Sequence, residues 1–252
     1  MIPVYTFFAV DKGNMTLVEF SNGYNMLVDC YASATRPTPL EYLKSKIKKL
    51  DFVVITHPHQ DHITGLKEVC EYYRPSYLWH NGRCFRPDPV YDDWEYYERL
   101  RAGNISYCSS VEVREGRTAT IGESRIYVAG PKVPHLEGTP DDENNNGLIL
   151  SIVTGKAKVV LTGDTECDQW DATDLSNLRN ASVFLASHHG REDGFSKAAL
   201  DVIKPQQIVI SDGEPAETDA TEKYRRVAPV TTTRERSVVL KPTQQTMAGA
   251  IN

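Results

Sequence analysis

Asp51-Phe-Val-Val-Ile-Thr-His57-Pro-His-Gln-Asp-His62 is the stretch on which the fold reading turns. Its first half is an unbroken apolar, β-branched run, suited to a strand buried on both faces. Its second half places three imidazoles and one carboxylate within six residues. Side chains at i and i+2 of an extended segment point the same way, so His57 and His59 can reach one metal ion. Asp61 and His62, on the turn into a following helix, can reach a second point close by. A His-rich surface turn would have no need of so apolar a strand to launch it.

Two later segments repeat the pattern of a buried strand ending in polar ligands. Val159-Val-Leu-Thr-Gly-Asp164 stops at a Gly-Asp corner, and Val183-Phe-Leu-Ala-Ser-His188-His189-Gly190 stops at paired histidines. Five of the seven histidines lie in these strand-end segments. Either later motif alone would pass for an ordinary turn, but with the first cluster they point to one metal centre.

Outward from these segments the chain reads as strands and strand-helix units, written approximately twice. Strands are predicted at 2–10, 14–20 and 24–30, joined by the turn residues Asp11-Lys-Gly-Asn14 and Ser21-Asn-Gly23. A helix fits 39–49, with Leu40, Leu43, Ile47 and Leu50 at helical spacing. A second helix follows over 63–73, then a strand at 76–80. Residues 81–101 read as an aromatic insertion. Trp79, Phe85, Tyr91, Trp94, Tyr96 and Tyr97 crowd this region, to pack on the body of the protein or to form a lid that stacks on substrate. Strands are expected at about 105–114, 118–121 and 124–129, then a polar loop at 130–146 and strands at 147–153 and 157–162. A helix after Asp164 and a strand at 182–187 lead to helix 195–203, strand 206–211, helix 219–227 and strands 229–232 and 236–241. This order predicts two sheets sandwiched face to face with helices outside. No linker divides it, so residues 1–241 are expected to form one domain, and 242–252 to fray.

Composition narrows the function classes. The 252 residues are 40% hydrophobic and 25% charged, an ordinary globular balance. A net charge of −6 argues against a basic surface that coats nucleic acid, though not against a nucleic acid or nucleotide as substrate of a metal site. No apolar stretch approaches the roughly 20 residues that span a bilayer, so no membrane partner is expected. The start, Ile2 to Val10, has no basic leader and reads as a strand rather than a signal peptide. Five cysteines, odd in number and without CxxC spacing, disfavour a disulfide framework or a cysteine zinc site and suit a cytoplasmic protein.

The His-x-His-x-Asp-His run, His57, His59, Asp61 and His62, resembles the first signature of the metallo-β-lactamase fold superfamily. Asn144-Asn-Asn-Gly-Leu-Ile-Leu150, Leu161-Thr-Gly-Asp164, Ser187-His-His-Gly190 and the helix-strand tail from Phe195 are most similar to the hydrolase domain of ComEC-type competence proteins. The likeness covers about residues 4 to 241. It implies an α/β protein with the four-layer αββα sandwich, and a centre of two divalent metal ions, zinc or manganese. His57 and His59 would hold the first ion, Asp61 and His62 the second, and Asp164 would bridge them. One of His188 and His189 completes the second site; His189 is favoured as ligand, with His188 facing the substrate in a catalytic role. In place of the superfamily's usual intervening histidine stands Asn144-Asn-Asn146, as in ComEC-type members. That leaves the first site weak unless Asn146 or His135 supplies a donor. Arg191 occupies the place of a usual serine, and Ser211-Asp-Gly-Glu-Pro215 and Thr218-Asp-Ala220 replace the expected rim.

Two bridged cations lower the pKa of a shared water from about 15.7 toward 7, which supplies hydroxide at neutral pH. Asp61 is the expected proton acceptor as well as a ligand. Metal-dependent hydrolysis is therefore the leading reaction, on a phosphodiester as in a nuclease or nucleotide phosphodiesterase. Hydrolysis of an ester, lactone or phosphocholine ester is the alternative, and a non-catalytic metal-binding partner protein is the alternative of another class. Asn146, Trp94 and His80 are candidates to touch the substrate; for His80, a partly buried structural histidine is the simpler reading.

Overall fold

Alternation of apolar side chains places hydrophobic residues on both faces of nearly every central strand, and the molecule resolves this by stacking two sheets between helices. The computed structural model describes residues 1–82, 86–132, 140–215 and 218–242. His135, Cys84, Phe85 and nearly all of the tail expected to fray lie outside the described residues.

The first sheet holds β1 (Val4–Phe7), β2 (Thr16–Glu19), β3 (Asn25–Val28), β4 (Phe52–Val54), β5 (Tyr77–His80), β6 (Ser109–Glu112) and the returning β14 (Val238–Leu240), in the order β14-β1-β2-β3-β4-β5-β6. The second holds β7 (Thr118–Ile121), β8 (Ser124–Gly130), β9 (Ile149–Thr154), β10 (Ala157–Leu161), β11 (Val183–Leu185), β12 (Ile208–Ile210) and β13 (Val230–Thr232), in the order β13-β12-β11-β10-β9-β8-β7. Each sheet begins as an antiparallel meander and continues as parallel strands, β3 to β6 in one and β10 to β13 in the other. The near-repetition expected from the sequence is thus present.

Three buried layers account for the strand patterns. Between the sheets lie Met26, Val28, Val54 and Trp79 from the first and Leu150, Leu161, Val183 and Leu185 from the second. Val53, Ile55 and Leu78 face the other way, into a cluster with Leu40 and Leu43 of α1 (Pro39–Lys44), Leu66 and Val69 of α3 (Leu66–Tyr73) and Tyr97 and Leu100 of α4 (Asp92–Arg101). Behind the second sheet, Val160, Phe184 and Ile208 meet Trp170 of α6 (Cys167–Ala172), Leu200 of α7 (Lys197–Ile203) and Tyr224 of α8 (Thr221–Arg225).

The helices differ from expectation in three places. The helix predicted over 39–49 starts on a capping box, Thr38 with Glu41, but ends at Lys44, and Ile47 and Leu50 are buried from the non-helical segment that follows. The helix predicted over 63–73 is two helices, α2 (Gln60–Ile63) and α3, divided at Gly65. Gly65 has φ 143°, a backbone conformation that ends the helical run, and a Cβ there would stand 2.8 Å from Pro39 Cγ, so only glycine fits at this break beside α1. The polar loop predicted at 130–146 contains α5 (Pro140–Asn145). Proline at its first position followed by Asp141, Asp142 and Glu143 is favourable helix-start chemistry that a polarity argument overlooks.

Parallel strands bring chain segments to one end of the sandwich. Carboxyl ends of β3, β4, β10, β11 and β12 deliver Asp29, Thr56-His57, Asp164, Ser187-His188-His189 and Ser211-Asp212, the place where open α/β sheets bind ligands.

Candidate metal centre

Asp164 is the focus of the site. It leaves β10 through Gly163, whose φ of 53° and approach to Thr56, 3.0 Å from where a Cβ would sit, leave no room for a larger residue. Its carboxylate is 2% exposed and faces four imidazoles. The Nε2 atoms of His62 and His189 lie 3.2 and 3.3 Å from it, and those of His188 and His57 lie 3.8 and 3.9 Å away.

The rings of His62, His189 and His57 are held from behind by their other nitrogen. His62 Nδ1 is 2.8 Å from Asp29 Oδ2, and His189 Nδ1 donates to the carbonyl of Ser211 at 3.1 Å. Thr56 donates its hydroxyl to Asp29 at 2.9 Å, so its oxygen accepts from His57 Nδ1 at 3.2 Å. His188 Nδ1 lies 2.8 Å from Asp193 Oδ1. An imidazole that donates from Nδ1 to a carboxylate or carbonyl presents Nε2 as a ligand in a fixed orientation, which is how metal-binding histidines are built. Backbone strain helps aim two of the rings: His188, His189 and Gly190 have φ of 49°, 54° and 79°, three successive left-handed residues in one tight turn.

What the cluster needs is positive charge. Buried Nε2 atoms of His57, His62 and His189 and Oδ1 of Asp164 have no aligned hydrogen-bond partner. Protons can supply the charge in place of a cation. Burial disfavours the imidazolium of His189, yet Asp164 and Asp61 raise its pKa to about 10, and Asp164 with Asp29 raises that of His62 in the same way. His57 moves downward, through burial and the neighbouring rings of His62 and His59. Despite their burial, Asp164 and Asp61 lie well below the usual carboxylate range beside His189 and His62.

A divalent cation answers the same need. One donor atom each from Asp61, His62, Asp164 and His189 lies within 4.8 Å of all the others. Two imidazoles and two carboxylates form a mixed nitrogen and oxygen set that suits zinc and also manganese or iron. His57 flanks this set, and His59, the residue before α2, places its ring 4.6 Å from that of His57 at 74°. Asn144 and Asn145 use their amides on Glu166, at 2.8 and 3.1 Å, and the Asn146 carbonyl accepts from Asn81 at 2.8 Å. Two of the candidate substrate contacts have other partners. His80 bonds Ser110 Oγ at 2.9 Å and accepts from the Gly82 amide at 2.9 Å, and Trp94 is buried in the outer cluster with Leu66 and Tyr97.

The family model of the metallo-beta-lactamase superfamily matches residues 9–210. The chain belongs to that superfamily. Among curated proteins it is similar to ComE operon protein 3 of Bacillus subtilis (strain 168), with 25% identity over 177 residues. That match covers 69% of this chain and 22% of the relative. It is also similar to the anti-Pycsar protein Apyc1 of Bacillus phage vB_BsuM-Goe3, with 49% identity over 166 residues, 62% of each protein. The matched region thus spans less than two thirds of either relative. Among solved structures, the metallo-beta-lactamase fold protein YhfI from Bacillus subtilis superposes with a TM-score of 0.63 at 16% identity, over 95% of this chain and 99% of that one. The superfamily is one of metal-binding hydrolases, and the fold with its strand-end histidines is the expected αββα sandwich. No helix among the described residues is long and apolar enough to cross a membrane.

Sequence reasoning overlooked the residues that stand behind the rings. Asp29 ends Met26-Leu-Val-Asp29, a buried strand closing on a carboxylate in the same manner as Asp164, and that repetition was the available signal. Thr56 sits inside the decisive segment but reads as a strand residue. Asp193 and the Ser211 carbonyl offer no sequence signal, because only the folded chain brings them to the imidazoles.

Proposed function

We propose that the protein is a metal-dependent phosphodiesterase whose centre is formed by Asp61, His62, Asp164 and His189, with His57 and His59 holding a second, weaker ion. Convergence of four imidazole Nε2 atoms on the buried Asp164 carboxylate is the observation that carries the hydrolase reading. When bound, divalent cations would activate water and draw charge from the phosphate. The remaining work falls to the chain. Asp61, with a side chain 32% exposed, is the most accessible member of the set and accepts the proton of the attacking water. His188, whose Nδ1 lies 2.8 Å from Asp193 and whose Nε2 lies 3.8 Å from Asp164, stands at the edge of the set, where it meets the substrate. Asp29 and Thr56 hold His62 and His57 in register.

The choice of a phosphodiester rests on the likeness to ComE operon protein 3 and the anti-Pycsar proteins, and the latter direct it first to cyclic nucleotides. The metal-loaded protein should open cyclic nucleotides or cleave oligonucleotides, lose that activity with chelator, and lose it in Asp164→Ala. Turnover of lactones or carboxylic esters with none of phosphodiesters would move the substrate class to the alternative. A folded Asp164→Ala that kept its metal and its rate would overturn the centre itself.

A further inference from the structure

The turn that presents the two histidines also presents a cation that has no direct carboxylate partner among the described residues, although its charge helps hold the Asp193 carboxyl low. Arg191 follows Gly190 directly, in the position where a serine was expected, and its Nη1 lies 3.5 Å from His188 Nε2. Arginine only donates, so this contact makes His188 Nε2 an acceptor and leaves its proton on Nδ1 toward Asp193. His188 Nε2 is in turn 3.8 Å from Asp164 Oδ2, so the guanidinium stands one imidazole away from the focus of the metal centre. No carboxylate among the described residues forms an ion pair with Arg191. Its Nε is buried without a hydrogen-bond partner.

The backbone beneath this side chain is fixed. Arg191 forms an antiparallel bridge with Asp219 and donates its amide to the His188 carbonyl at 2.9 Å. On either side, Glu192 donates to Thr218 and Ala220 to Gly190, at 2.8 and 2.9 Å. A charge held on such a tied segment, partly desolvated and unpaired, costs stability unless something anionic meets it. Lys197, Lys223, Arg101 and Arg234, by contrast, each have a carboxylate partner.

We infer that Arg191 is the substrate-gripping cation of this site, donating from its guanidinium to a non-bridging oxygen of a phosphate while another oxygen meets the metal centre. The fork of guanidinium donors matches a phosphate and adds a charge-assisted bond that a neutral ester or lactone cannot receive. Arg191 thereby selects anionic substrates, and this deepens the phosphodiesterase reading on which it rests.

The test uses the zinc-loaded full chain, as wild type, Arg191→Gln and Arg191→Lys, with two probes. Binding of inorganic phosphate is measured by calorimetry, and hydrolysis of bis(p-nitrophenyl) phosphate by initial rates. Zinc content and melting temperature are recorded for each protein. Arg191→Gln is expected to weaken phosphate binding and raise KM by about tenfold or more, with zinc content unchanged and a smaller effect on kcat. Arg191→Lys should recover part of the phosphate affinity by restoring the charge without the fork. Unchanged phosphate affinity in Arg191→Gln overturns the inference, as does a fall in melting temperature in both variants with KM preserved, which assigns Arg191 to structure. Phosphate binding that needs Arg191 in a protein that cleaves no phosphodiester upholds the inference and sinks the reaction. Phosphodiester cleavage indifferent to Arg191 does the reverse.

Discussion

Asp29 shows how much of the centre lies one bond behind the ligands. Its carboxylate receives the Thr56 amide at 2.8 Å, the Thr56 hydroxyl at 2.9 Å and His62 Nδ1 at 2.8 Å, so a single residue sets the orientation of two imidazoles. Asp29→Ala should therefore lower zinc affinity about 10–100-fold in a chelator competition assay. Affinity equal to wild type would show that packing alone fixes the rings. His80 illustrates the opposite case, a histidine whose described partners are Ser110 and the Gly82 amide and not the cluster. The Gly82 amide donates to its Nδ1, so a proton there would break a bond, and burial and Arg101 lower its pKa to about 4. The unfolded chain binds this proton near its ordinary pKa of about 6.5 and the folded chain only near 4. Stability attributable to His80 is therefore full above pH ~6.5 and falls as the pH drops between these values, by about 3 kcal/mol in all. Denaturant unfolding of His80→Asn should show a correspondingly shallower loss between pH 7 and pH 4; equal slopes in both proteins would place the acid sensitivity elsewhere. The ligands were legible because imidazoles in clusters are rare and chemically expensive to bury. Their supports were not, because an aspartate or a carbonyl becomes a support only by three-dimensional placement.

At the scale of elements, apolar periodicity foretold nearly every strand but not how neighbouring elements share space. The helix expected over 63–73 is interrupted at Gly65, whose φ of 143° leaves the helical region and where the approach of α1, some twenty-five residues away in the chain, leaves no room for a side chain. Helix α4 poses the same question of context. Its aromatic residues invited two readings, packing and a substrate lid, and the sequence offered no means of choosing. In the folded chain Trp94 is 8% exposed and Tyr97 fully buried, both in the cluster with Leu66, Val69 and Leu78, and the Gly65 and Lys67 amides donate to Asp93 at 3.2 and 2.9 Å. A buried tryptophan in such a cluster contributes through contact area, and its truncation leaves a cavity that the neighbours fill only in part. Trp94→Ala should cost about 3–5 kcal/mol in denaturant unfolding and leave KM near that of wild type. A raised KM with an unchanged melting temperature would restore the lid.

Considered whole, the molecule is two half-sandwiches whose ends meet at the metal centre. His57, Asp61 and His62 follow β4 of the first sheet, while Asp164 and His189 follow β10 and β11 of the second. A bound ion thus ties the sheets together, and in the unfolded chain this set of donors is scattered across more than a hundred residues. An ion that binds the folded state alone stabilises it by RT ln(1 + [L]/Kd), which is about 1.4 kcal/mol for each tenfold rise in free metal above Kd, per site. The slope of unfolding free energy against the logarithm of free zinc therefore counts ions. We expect a slope of one site where the Asp61, His62, Asp164 and His189 set fills, rising toward two, about 2.8 kcal/mol per decade, only at higher zinc where His57 and His59 load. Asp164→Asn should flatten the whole curve, because its carboxylate faces both groups of imidazoles. A slope of two sites from the lowest zinc onward would mean that the first site has a strong donor beyond His57 and His59. Unfolding indifferent to zinc at every concentration would mean that the strand-end imidazoles do not form a metal centre, and the hydrolase reading would lose the observation that carries it.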